Sequence, residues 1–224
     1  MGLGYRGNEN WRDMSEYLVH FTKDDEVGHS AYDIMLMILG TGTLLATGPF
    51  GAAKGLGVLG TSQRSVCFSE IPLDRLDRLS ERRSKYGIAF HQRKLIEAGG
   101  GRVWYVDSAS TLATDVRAMI KDRVKPGMDD SDRLWRLTPF IDFPGQYGSA
   151  DYRFEWEREW RVPGPLTFDT EDVAFLFIPE GLHEKARTFF EGHRCENTGP
   201  GYLCPYLDAA WSDERIQDAL REVH

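Results

Sequence analysis

Along the chain the apolar positions change period several times, and each change marks an element. "EYLVHFTK" is a short apolar-rich run that predicts a strand, with Tyr17, Val19 and Phe21 on one face and Leu18, His20 and Thr22 on the other. "DIMLMILGTGTLLAT" follows as an apolar helix ending near Gly40 or Gly42. "SVCFSEIPL" predicts a buried strand that turns at Pro72, and "YGIAFHQRKLIEAGG" a strand leading into a helix closed by Gly99 and Gly100. "RVWYVD" is a further strand, and "STLATDVRAMIKDRV" a long helix that breaks at Pro126. The polar linker "KPGMDDSD" precedes "RLWRLTPFID", and the continuous apolar run "DVAFLFIP" predicts a fully buried strand. "GLHEKARTFFEG" and "SDERIQDALREVH" close the chain as helices.

This order mixes strands and helices without regular βαβ alternation and shows no internal repeat, so the expected fold class is α+β. We expect a single domain over 1–224, with a lead-in at 1–15 and a C-terminal helical segment at 205–224. The glycine-rich stretch "GPFGAAKGLGVLGTSQRS" matches neither the P-loop nor the dinucleotide fingerprint. It predicts a flexible loop outside the core, either plain surface or a flap over a pocket.

The stretch "DYRFEWEREWRVPG" carries the strongest candidate chemistry. Read as one strand, it places Phe154, Trp156, Arg158, Trp160 and Val162 on one face and Glu155, Glu157, Glu159 and Arg161 on the other. Successive carboxylates would then stand about 6.5–7 Å apart, close enough to raise one another's pKa in an enclosed site, with Arg161 offsetting the effect. A water-facing strand side gives the same alternation. In "YLVHFT" the shared face lets His20 and Thr22 point together into a pocket, although a lone strand histidine also serves as a hydrogen-bonded structural residue.

Composition narrows the classes. The chain of 224 residues is 41% hydrophobic and 28% charged, which suits a folded protein with a real core. Its net charge of −8 argues against coating nucleic acid through the overall field, while Arg75, Arg78, Arg82, Arg83 and Lys85 form a local basic span, read as a nucleic-acid contact or as a solvated helix face. Three cysteines without a C-x-x-C pair speak for reduced thiols and a cytoplasmic protein. His193, Cys195 and Cys204 lack a fourth ligand at structural-zinc spacing, so no metal site is expected there. No apolar run approaches the ~20 residues of a membrane span.

Taken together, "YLVHFT", the apolar helix after it, "VCFSEIPL", "YGIAF" and "EWR" resemble the AbiGi-type proteins of bacterial abortive-infection systems. The layout over roughly 17–162 is also similar to the ADP-ribosyltransferase superfamily, with its DarT-like and PARP-like branches. That resemblance implies a split, mostly antiparallel β core with flanking helices and NAD as the substrate. It implies His20 as a ribose contact with Thr22 beside it, Tyr86 as the aromatic packing on nicotinamide, and Ser69 lining the cleft. Glu159 would be the catalytic glutamate and Glu157 the residue directing the acceptor. Phe21 stands where the PARP-like branch has glycine. Cleaving the glycosidic bond builds positive charge on ribose, which a nearby carboxylate stabilises, and Arg161 would hold that carboxylate ionised or grip pyrophosphate.

The function expected on this resemblance is an NAD-dependent ADP-ribosyltransferase acting as a toxin or anti-phage effector on a nucleic acid or protein. The alternatives are a non-catalytic antitoxin or partner protein on the same fold, meeting a cognate toxin or antitoxin, and an NAD glycohydrolase. A nuclease holding a divalent metal on Glu155, Glu157 and Glu159 is a further reading, separable by metal dependence.

Overall fold

A computed structural model describes residues 14–59, 61–70, 84–125, 128–129, 131–153 and 157–221. The chain divides into two compact units, the first comprising Met1–Thr43, Phe68–Leu95 and Thr167–His224, the second Leu44–Cys67 and Ile96–Leu166. The chain passes between them four times, within the two-residue strand β2 (Thr43–Leu44), along strand β4 (Arg64–Glu70), within the helix Gln92–Glu97 and within the two-residue strand β12 (Leu166–Thr167).

In the first unit β1 (Tyr17–Phe21) is the organising strand. It pairs along its whole length with β5 (Gly87–His91), from Tyr17↔His91 to Phe21↔Gly87, and on its other side with the end of β4 through Leu18↔Glu70 and Val19↔Ser69. β13 (Val173–Phe177) joins the far side of β5, and β14 (Tyr206–Leu207) runs parallel to β13, giving the order β14-β13-β5-β1-β4. Both faces of β1 are covered, since Leu18 and Val19 are both inaccessible although they point oppositely. Helix α1 (Ala31–Thr41) starts at a capping box formed by Ser30 and Asp33 and ends at Gly42, whose φ of +59° and lack of Cβ allow the Phe168 carbonyl to approach. The core joins Val19, Phe175, Phe177 and Leu207 to Ile216 and Leu220 of a C-terminal helix, Asp213–Arg221.

The second unit contains the other half of β4, which pairs with β3 (Gly48–Pro49) and neighbours β11 (Glu159–Pro163). β11 is antiparallel to β6 (Gly101–Arg102), β7 (Trp104–Tyr105) runs parallel to β8 (Ile141–Asp142), and β9 (Gly145–Tyr147) forms a hairpin with β10 (Ala150–Tyr152). Across the chain the fold is therefore α+β with mostly antiparallel pairing. The described helices are α1, α2 (Gln92–Glu97), α3 (Thr111–Arg123), α4 (Arg133–Leu137), α5 (His183–Glu196) and the C-terminal α6 (Asp213–Arg221). None of these helices is long and apolar enough to cross a membrane.

Three expectations are corrected. The glycine-rich stretch is no loop outside the core: Ala53 and Leu59 pack among Val106, Ala113, Val116 and Trp135. Gly51, at φ +83°, lies so close to Thr138 that a Cβ would stand 2.0 Å from its carbonyl oxygen, while the next amide, Ala52, donates to that oxygen at 3.0 Å. The small residues serve close backbone approach. Nor is "DYRFEWEREWRVPG" one strand. β10 ends at Tyr152, β11 begins at Glu159, and Arg158 between them takes φ +44°, a left-handed conformation that turns the chain. "RVWYVD" also divides, into β6 and β7, with Val103 between them donating its amide to the Glu159 carbonyl at 2.8 Å.

Candidate functional site

Because the chain turns at Arg158, the alternation that aligned the glutamates does not hold. Glu155 lies outside the described residues, Glu157 is buried before the turn, and Glu159 opens β11. Arg161, two residues along β11, is 1% exposed and organises what surrounds it. Its Nε donates to Glu159 Oε1 at 2.9 Å and its Nη2 to Glu159 Oε2 at 2.9 Å, a bidentate pairing that occupies both carboxylate oxygens. Nη2 also meets Asp142 Oδ2 at 2.9 Å, and Nη1 donates to the Pro139 carbonyl at 2.7 Å. The guanidinium lies 5.0 Å from the centroid of the Phe50 ring.

Local structure explains the convergence. The parallel pairing of β7 with β8 sets Tyr105 opposite Asp142, and the Tyr105 hydroxyl donates to Glu159 Oε2 at 3.3 Å. Tyr152, at the end of the β9–β10 hairpin, donates to Asp142 Oδ2 at 3.3 Å. One guanidinium thus faces two carboxylates, and two phenols supply further donors. Burial and then the adjacent carboxylates raise both phenols, Tyr152 to about 12, so each keeps its proton at neutral pH. Burial tends to lower Arg161, but its bonds to Glu159 and Asp142 raise it and fix its charge. The Cys67 thiol is pushed up by burial and by Glu159, so it is no nucleophile at neutral pH.

This is a closed ionic network within one unit. Glu159 retains 13% side-chain exposure and accepts from Arg161 on both oxygens and from Tyr105 on Oε2, and Arg161 spends its described bonds on protein acceptors. Such a cluster holds β11, β8 and the Thr138–Phe140 turn in register. Asp142, Tyr105, Tyr152 and Phe50 were not among the sequence candidates. No periodicity within a segment points to them, since each comes from a different part of the chain.

The remaining candidates lie in the first unit. The Thr22 hydroxyl, 2% exposed, donates to the Ala31 carbonyl at 2.7 Å and so ties β1 to the start of α1. The Thr22 amide donates to Tyr86 O at 3.2 Å, and the Tyr86 ring packs 5.6 Å from that of Tyr32. The His20 ring stands edge-on to Phe68 at 5.8 Å, and Ser69 is buried opposite Val19. Of the basic span, Arg75, Arg78, Arg82 and Arg83 lie outside the described residues, while Lys85 is exposed. None of the three cysteines is in a disulfide, and no group of three or more His, Cys, Asp or Glu among the described residues is placed to hold a metal ion.

Comparison with curated proteins and with solved structures gives no match. A family model described as "putative abortive phage resistance protein AbiGi, antitoxin" matches residues 47–173. That range contains the glycine-rich core segment and the whole Arg161 network, and it leaves out "YLVHFT". The match carries no link to the ADP-ribosyltransferase superfamily. Spanning more than half of the chain, it shows that this protein belongs to the AbiGi family of putative abortive phage resistance proteins, described as antitoxins.

Proposed function

We propose that this chain is a non-catalytic antitoxin that acts by binding a cognate toxin protein. One observation carries the reading: both carboxylate oxygens of Glu159 are occupied by Arg161, itself 1% exposed and bonded further to Asp142 and Pro139. A glutamate that stabilises an oxocarbenium-like transition state must present an oxygen to the sugar. Here the carboxylate is a structural ligand of a buried arginine, so the residue that most suggested transferase chemistry has a folding role. The family description, with its antitoxin assignment, supports the same reading and supplies the class of partner.

The test is co-expression of this chain with the cognate toxin, read as growth and as co-purification of the two proteins, beside a nicotinamide-release assay on the purified chain with NAD. The expected result is rescued growth, a stable complex and no nicotinamide release. A folded Glu159→Gln variant should rescue as the parent does. Release of nicotinamide by the parent, lost in Glu159→Gln and accompanied by no protection from the toxin, would overturn the proposal in favour of the transferase.

A further inference from the structure

The first unit holds a pocket of about 400 Å³, within the ~300–1,000 Å³ typical of small-molecule sites. It is walled by Tyr17 and His91, by the start of β13, by the segment 201–205 and by Leu220 of α6. None of these residues takes part in the Arg161 network.

The geometry points to a binding site for a small aliphatic cation, a primary amine or guanidinium on a short hydrocarbon stem. The backbone is the first observation. β13 is in register with β5 at Val173↔Phe90 and again at Phe175↔Ala89, so Ala174 is an extra residue, a β-bulge, and it forms part of the pocket wall. Bulges re-aim side chains and recur beside functional sites.

Charge is the second. Among the lining residues Glu171 carries the one fixed charge, and no lysine or arginine is present. The Tyr17 hydroxyl holds its proton more tightly than usual, through burial and then through the negative charge of Glu16. The Cys204 thiol, pushed up to about 12 by burial, stays neutral and adds no second charge.

Shape is the third. The Tyr17 and His91 rings meet with centroids 5.0 Å apart and Phe175 supports Tyr17 edge-on, giving a fixed aromatic surface of the kind that attracts a cation. Val173, Pro205, Leu220 and the half-exposed Leu203 supply apolar wall for a stem. A carboxylate, an aromatic pair and aliphatic wall lining one pocket match a cationic head on a hydrocarbon chain. The lining holds no lysine or arginine that would draw an anion instead.

The site is independent of the antitoxin reading, and the same chemistry has two sources, a free amine and an arginine side chain of another protein. The test is isothermal titration of the intact chain with agmatine, with the capped peptide acetyl-Gly-Arg-Gly-amide, and with neutral N-butylurea. Saturable binding of agmatine and none of N-butylurea is expected. Glu171→Gln should weaken it about five-fold, the upper range for an accessible ion pair, and added salt should weaken it in the parent. Leu203→Trp, at an exposed position that leaves the fold intact, should block it. Peptide binding equal to that of agmatine assigns the site to a partner's arginine, and agmatine binding alone assigns it to a free amine. Absence of saturable cation binding, or binding that both substitutions leave unchanged in folded protein, overturns the proposal.

Discussion

Replacing Arg161 by methionine tests the network most directly. Methionine keeps an unbranched apolar stem against Phe50 while removing every charged donor. Two bonds to Glu159, one to Asp142 and one to the Pro139 carbonyl are lost together. The carboxylates left behind have side-chain exposures of 13% and 7%, too little for water to replace the guanidinium fully. Breaking a buried pair by removing one partner costs about 3–5 kcal/mol, because the other charge is stranded. With a urea m-value of about 2–3 kcal/mol/M for a protein of this size, the midpoint should fall by about 1–2.5 M at unchanged m. Equilibrium urea denaturation followed by far-UV circular dichroism reads this. Adding Glu159→Gln to the methionine variant should recover at least about 1 kcal/mol of coupling, since a neutral amide tolerates the site better than an unpaired anion. A loss below about 1 kcal/mol for Arg161→Met would refute the closed network, because it would mean that the guanidinium is solvated and Glu159 is available for other work.

Gly51→Ala should destabilise the chain by at least about 2 kcal/mol in the same urea assay, since φ is +83° and the new methyl would meet the Thr138 carbonyl at 2.0 Å. Thr138→Val should cost about 1–2 kcal/mol at nearly constant volume. The hydroxyl it removes is fully buried and donates to Gln63 Oε1 at 2.8 Å, where the amide oxygen would be left without that donor. His29, hydrogen-bonded at 2.7 Å to Asp25, should titrate above its ordinary 6.5 by NMR, and Asp25→Asn should return it to that value. Because His29 is raised and Asp25 is lowered from 3.8, the pair's contribution is present between those two ordinary values. It fades as pH rises through the folded His29 pKa or falls through the folded Asp25 pKa. A His29 midpoint at or below 6.5 in the parent would contradict the pairing.

Local sequence settled the elements whose signals are self-contained. The glycine stop of α1, the alternation of β1 and the continuous apolar run of β13 each reflect interactions within a few residues, so period and punctuation were enough to place them. The α+β class followed from their order. The acid-rich stretch shows where this reasoning stops. Its alternation suits a strand, but a single left-handed residue, Arg158, interrupts it, and nothing in "EREWR" distinguishes that turn from two more extended residues. The glycine-rich segment likewise reads as a loop until Thr138 and Trp135, more than seventy residues away, close over it.

The sequence by itself determined that this protein has Glu159 and Arg161 close enough to pair, because two residues along a strand fix that separation. Only the tertiary structure decided how deeply the pair is buried and what else it bonds. Tyr105, Tyr152 and the stretch carrying both Asp142 and the Pro139 carbonyl arrive from three separate segments and convert an exposed-looking charge pattern into a buried one. Burial is a property of everything that surrounds a side chain, and non-local contacts leave no period in the sequence.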